Sequence, residues 1–548
     1  MPITKEWQAL IDQKLNDRAS RIFPAWRLPH DLTEHVRPDA SVSAFELLRK
    51  TTILSSKEIE ITETYSAENL IRILATREIT SMEVTTAFCK RTAIAQQLTN
   101  CLTEIFFEQA LQRAKELDEY IVKKGRPMGP FHGLPISLKD SFMVEGQAAT
   151  LGFISFLKKP NATKNSFLVD ILLEGGAVLY AKTNVPQTLF TCESYNRLFG
   201  TTMNPHNLSL TAGGSSSGEG ALIGIRGSIL GVGADMGGSI RVPSLCNGTY
   251  GFKPTANRVP FGGQQDFIRK GWPGVLPAAG PLAHYASDLT FFVRSVLLAK
   301  PWLKDSTALA VPWREVPKKA RLTIGVFLND PMFPVFPPIS RALQSAADKL
   351  KKAGHEVIPV NAPPILTGVT GAVRSFILDT EDTVSKYLAE AGEEPVECVR
   401  QMNLAALLGQ SGVSLDDMWR FVAEREDYRE DWGKIWRENQ IDVLLCPGSR
   451  GTAVPHDKYG IPVYTLLWNF LDFPASVIPY ERANKALDTE VIDGCKLPYY
   501  DPTLTLTDCI LVNIDEVDGA PCHVQIVGWQ FQDEEVLSAT ETIADVLN

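Results

Sequence analysis

The stretch from Thr211 to Thr255, TAGGSSSGEGALIGIRGSILGVGADMGGSIRVPSLCNGTYGFKPT, gathers small residues of the kinds that build reactive sites. Its dense glycines permit tight turns and close approach of backbone to a ligand. Two small-residue loops, GGSSSGEG and ADMGGSIR, flank a helix-then-strand segment. That order can bring both loops to one end of a sheet, where sites tend to form. Phosphate binding fits poorly. A P-loop needs GxxxxGK[ST], and no lysine follows these glycines; Gly231-Val-Gly233 meets its next glycine at Gly237, one residue too late for GxGxxG. A set of structural turns, with serines that only cap, is a second reading.

Acyl transfer is a third. A serine nucleophile needs a base, and its tetrahedral intermediate needs preorganised N–H donors. Met236-Gly237-Gly238-Ser239 offers both a nucleophile and converging backbone donors. Histidine is the usual base, yet neither loop contains one, and GxSxG is absent here. A lysine kept neutral by burial is the favoured substitute. Lys139, closing the apolar run that starts at Pro135, is a candidate, although spacing alone does not select it. Cys192 is a nucleophile by type but has no identifiable base beside it.

These residues need elements to hold them. Ser66-Ala-Glu-Asn69 caps a helix with Leu70, Ile73 and Leu74 on one face. A second helix starts at Ser81, and a third is expected over Cys101–Tyr120. Pro135–Leu138 is a buried strand end. Phe167–Glu174 followed by Gly175 and the run to Thr183 is a helix–glycine–strand unit, repeated at Ala342–Val360 and Asp427–Pro447. TIGVFL and HVQIVG are further strands. Residues 1–60, polar, helical and broken by Pro24, Pro29 and Pro38, form an N-terminal helical arm; 61–548 is one large α/β domain.

Composition sets the bounds. At about 150 residues per domain, 548 residues allow several domains or one large one. A net charge of −10, 44% hydrophobic and 22% charged residues suit a globular chain and argue against disorder and general nucleic-acid binding. Ala221–Val232, the most apolar long region, is interrupted by Arg226, so no spanning helix and no integral membrane anchor are expected. Nine scattered cysteines without CxxC suit reduced thiols in the cytoplasm. Eight dispersed histidines give no support to a metal site, and no cofactor is expected.

The motifs together resemble the amidase signature family. GGSSSGEGA and DMGGSIRVP match its pattern, and GLPISLKD and KTNVPQ match in order and spacing. NFLDFPASVIP (469–479) and GAPCHVQIVG (519–528) extend the likeness, which runs from about residue 60 to the C-terminus. Within the family the chain is most similar to fungal acetamidase-type amidases, on AFCKRTAIAQQLTNC, PMGPFHGLPISLKD and GIRGSILGVGADMGGSIRVP. The resemblance implies a mixed central β-sheet flanked by helices on both faces. It implies a Ser-cisSer-Lys triad of Ser239 as nucleophile, Ser215 as bridge and Lys139 as base. It places the oxyanion hole on the N–H groups of Met236, Gly237, Gly238 and Ser239, and Ser216, Asp235 and Arg241 at supporting polar positions. Leu189 and Cys192 fall where the family lines its acyl pocket. Trp272 and Trp468 are channel-wall candidates that read more readily as packing, and His456 and His523 read as structural. Ser217 departs from the usual glycine.

The implied activity is hydrolysis of a small-molecule carboxylic acid amide to carboxylate plus ammonia or amine through an acyl-enzyme. Fatty-acid or aryl amide hydrolysis, and an amidotransferase A-type glutaminase subunit, are the alternatives. A homodimer is the one assembly to test for.

Overall fold

A computed structural model describes residues 3–379, 382–401, 414–489 and 513–548. Its centre is a mixed sheet of eleven strands. In chain order the strands are β1 (Leu102–Ile105), β2 (Pro135–Lys139), β3 (Val178–Thr183), a separate pair β4 (Tyr195–Asn196) and β5 (Gly200–Thr201), then β6 (Leu230–Asp235), β7 (Tyr250–Lys253), β8 (Ala278–Ala283), β9 (Thr323–Val326), β10 (Glu356–Pro359), β11 (Val443–Cys446), β12 (Ala475–Arg482) and β13 (Pro521–Val527). The large sheet runs β1-β3-β2-β6-β8-β7-β12-β13-β11-β9-β10.

Both faces are covered, as continuous apolar strands require. Val178 and Tyr180 of β3 enter one core with Ile94, Leu98 and Leu222. Leu179, pointing the other way, enters a second core with Leu168, Leu172, Leu289 and Phe292. β2 pairs in parallel with β6, Leu138 beside Val232, so Lys139 and Asp235 end neighbouring strands on the same side. The helix Ser217–Gly224 starts directly after Ser215-Ser216. The two small-residue loops therefore meet at the carboxyl ends of β2 and β6.

One expected element differs. Cys101–Tyr120 is not a single helix: Asn100, left-handed at φ 53°, ends the helix Ser81–Thr99, and β1 pairs antiparallel with β3 before the helix Phe107–Lys124 begins. The four buried residues of β1 abut that helix with only Phe106 between them, so their apolar run merges with the helical pattern.

The N-terminal helix Lys5–Ser20 lies against the sheet edge. Trp7 and Ile11 pack with Ile154, Leu198 and Phe199, Arg18 donates to the Leu102 carbonyl at 2.6 Å, and Lys14 pairs with the buried Glu104. Seven cysteines are free and buried; Cys495 and Cys509 lie outside the described residues. Among the described residues no helix is long and apolar enough to cross a membrane.

Candidate active site

Lys139 reaches the site from the last position of an apolar strand and is 2% exposed. Its Nζ stands 2.8 Å from Ser215 Oγ and 3.2 Å from the Ala234 carbonyl. Burial lowers its pKa to about 7, against the pull of Asp235, Glu219 and Asp140. An amine at that value is a usable base near neutrality. The Gly214–Ser215 peptide is cis.

Ser239 sits in the loop after β6, and its carbonyl accepts 3.1 Å from the Ser216 N–H, which stitches the two loops together. Ser216 Oγ lies 3.4 Å from both the N–H and the carbonyl of Ala234. Asp235 shapes the loop from beneath. It accepts from the N–H groups of Gly238 at 2.8 Å and Ile240 at 3.1 Å. Gly238 has φ 135°, and a Cβ there would lie 2.2 Å from Thr465 Oγ1, so only glycine fits the turn. Of the four expected donors, the Gly238 N–H is thus engaged by Asp235. The N–H groups of Met236, Gly237 and Ser239 meet no protein acceptor among the described residues.

Asp235 is itself gripped by Arg241, with Nε 3.0 Å from Oδ2 and Nη2 3.1 Å from Oδ1. Burial alone would raise this carboxyl, but the guanidinium prevails and holds it well below the usual carboxylate range. Arg241 also donates to Asn469 Oδ1 at 2.6 Å and to Gln525 Oε1 at 3.0 Å. These partners belong to the two late motifs, NFLDFPASVIP and the HVQIVG strand, whose local pattern singles out neither residue.

Glu219 stands inside GGSSSGEG, where nothing in the local pattern marks it out. It is fully buried, accepting from Thr183 Oγ1 at 2.9 Å, with its Oε2 2.6 Å from Ser137 Oγ. Burial raises its pKa to about 8, against the hydrogen bonds from Ser137 and Thr183. Ser217, the unusual serine, donates 3.1 Å to the Asn184 carbonyl and anchors the start of its helix.

A cavity of about 210 Å³ opens onto these groups. Lys139, Ser215, Met236, Gly237 and Ser239 form its reactive wall, while Leu189, Phe190, Phe267, Trp272 and Phe376 supply apolar walls. Leu189 and Cys192 both line it. Thr188 and Leu189 take consecutive left-handed conformations, φ 69° and 62°, uncommon for non-glycine residues and costly for a β-branched one. Trp468 does not reach the cavity; it packs 5.0 Å from Trp432 in the core. His456 and His523 are held neutral by burial, His523 at about 3. Burial pushes the Cys192 thiol well up, which leaves it a poor nucleophile. Among the described residues no group of three or more His, Cys, Asp or Glu could hold a metal.

The sequence profile described as Amidase matches residues 83–537. An amidase of Gibberella moniliformis is 50% identical over 542 residues, 99% of either chain. An acetamidase of Emericella nidulans is 35% identical over 99% of this chain and 98% of its own. The solved structure of a fatty acid amide hydrolase superposes with a TM-score of 0.92 at 32% identity, covering 99% of this chain and 95% of the other. This chain belongs to the Amidase family and is an amidase-signature hydrolase of amides.

Proposed function

We propose that the protein hydrolyses carboxylic acid amides through a Ser239 acyl-enzyme, with Ser215 as bridge and Lys139 as base. The observation that carries this is the 2.8 Å contact between a buried, near-neutral Lys139 Nζ and Ser215 Oγ. In this reading Lys139 accepts the Ser215 proton as Ser215 takes that of Ser239. Ser239 Oγ adds to the amide carbonyl, and the oxyanion forms against the N–H groups of Met236, Gly237 and Ser239. Lys139, now an ammonium, returns its proton through Ser215 to the leaving amine. The same relay then activates water, whose addition to the acyl-enzyme releases carboxylate and restores Ser239. Asp235 and Arg241 act by holding the donor loop in shape.

The apolar cavity walls favour amides with a sizeable hydrocarbon or aryl acyl group over glutamine, whose polar side chain would find few partners there. The likeness to a fatty acid amide hydrolase supports the same preference. Residues 1–60 are read as an arm clamped onto the catalytic unit. The buried free thiols fit a reducing compartment, and the cytoplasm is the location proposed. Ammonia release from acetamide, benzamide and a long-chain amide tests the reading. Turnover of at least one amide, lost in Ser239→Ala, is expected; equal turnover by a folded Ser239→Ala protein contradicts it.

A further inference from the structure

Four charged side chains of alternating sign run from the N-terminal helix to the residue beside Lys139. Lys14 of that helix pairs with Glu104 of β1, itself 7% exposed. Glu104 stands directly opposite Lys182 of β3, which puts the two side chains on one face of the sheet. Lys182 is fully buried, with Nζ 3.9 Å from Asp140 Oδ1. Asp140, also fully buried, follows Lys139 in the chain. Charges in a core are costly and persist where partners balance them.

The last two members also hold a corner of the chain under the cavity. Lys182 Nζ donates to the Ala148 carbonyl. Asp140 Oδ2 accepts from the N–H groups of Thr150 and Leu151, both at 2.7 Å. Leu151 is left-handed at φ 52°, a conformation that a leucine keeps only where its surroundings enforce it. It enters the apolar cluster against which Leu189 and Phe190 of the cavity wall pack. A Cβ on Gly152 would lie 2.8 Å from the Pro186 carbonyl, so the corner abuts the segment that leads into that wall.

We propose that Lys14 is a positioning residue of the active site: by balancing Glu104 it leaves Lys182 to Asp140, and so fixes the charge beside the base and the corner beneath the acyl wall. The proposal rests on reading Lys139 as the base.

The neighbouring charges support that role. Burial raises the pKa of Glu104, opposed by Lys14 and Lys182, with Asp140 adding to the rise. Arg18 of the same helix brings a second cation near Glu104. Burial lowers the pKa of Lys182, opposed by Asp140 and Glu104, while Lys14 acts the other way. Lys139 faces Asp235, Glu219, Asp140 and Cys192. With Lys14 gone, Glu104 competes for Lys182. Asp140 is then less fully balanced, and its charge favours the ammonium form of Lys139.

The test follows kcat/KM of one amide against pH, well below each protein's unfolding temperature. In Lys14→Met the acid limb is expected to move up by about half a pH unit. Lys14→Arg, which keeps the cation, should leave it in place. Lys14→Met combined with Glu104→Gln removes both charges and should return the limb to its original position. A fault in packing would not be repaired by that second substitution, so the return separates charge balance from support of the fold. Lys14→Gln serves if Lys14→Met does not fold. An acid limb unmoved by loss of the cation overturns the assignment, as does a limb that stays shifted in the double variant. Lys139→Ala separates the two levels. Turnover lost in Lys139→Ala, with the limb unmoved in the Lys14 variants, rejects the positioning role alone; turnover kept in Lys139→Ala rejects the base and the positioning role together.

Discussion

Arg241 clasps Asp235 through two contacts of 3.0 and 3.1 Å, one to each carboxylate oxygen, with both side chains fully buried. The pair converts a charge into a scaffold, because the carboxylate held by Arg241 in turn holds the N–H groups of Gly238 and Ile240. Removing one partner strands the other charge in the core, at a cost of about 3–5 kcal/mol. Lysine cannot reproduce the planar fork. Arg241→Lys and Arg241→Met are therefore both expected to shift the urea midpoint strongly downward and to lower amide turnover. A midpoint close to that of the unmodified protein would show that the pair is not what shapes the loop.

Lys139 sets the acid limb of the pH profile. With its pKa lowered to about 7, the amine is protonated as pH falls through that value and can no longer accept a proton. kcat/KM is expected to drop with one-proton dependence below about pH 7 and to level above it. An acid limb near the ordinary lysine value of 10.5 would mean that burial does not tune this group.

Glu219 predicts the opposite trend in stability. Its folded pKa of about 8 lies above the ordinary glutamate value of 4.5, so the folded state holds a proton that the unfolded state releases. The stability from this group is fully present below about pH 4.5 and is lost as pH rises toward 8. Glu219→Gln, uncharged throughout, should flatten that part of the stability–pH curve and retain activity. Glu219→Ala should cost about 2–4 kcal/mol by leaving a cavity and removing the carboxyl that the Ser137 and Thr183 hydroxyls bond. Denaturant midpoints measured across pH 4–9 separate the three proteins.

Much of this arrangement was legible in the residues. The glycine-serine loops, the strand ending in Lys139 and the helix–strand units announce themselves through local pattern. What stayed hidden depends on distant contacts. β8, AAGPLA, carries a glycine and a proline and does not resemble a strand, yet it lies between β6 and β7, with Pro281 opposite Val232. Its Gly280 is required because a Cβ there would sit 2.2 Å from the Phe252 carbonyl. Asn469 and Gln525 gain their meaning only when the fold brings them to Arg241.

The N-terminal helix gives a further expectation. Burial raises the pKa of Glu104, and Lys14 is the first opposing influence. Lys14→Met leaves that carboxyl without its cation, and thermal unfolding should move down by several degrees, the change expected of about 1–3 kcal/mol. An unchanged midpoint would mean that Lys14 contributes nothing to the docking of this helix.

Ser239 carries the acyl group in the proposed reaction. Acid quench during steady-state turnover of a slow aryl amide, followed by peptide mass analysis, reads it directly. The acyl mass is expected on the peptide carrying Ser239, absent in Ser239→Ala and in Lys139→Ala, whose kcat falls about 10⁴-fold or more. An acyl group on Cys192, or full turnover with no acyl mass on Ser239 at any quench time, would contradict it.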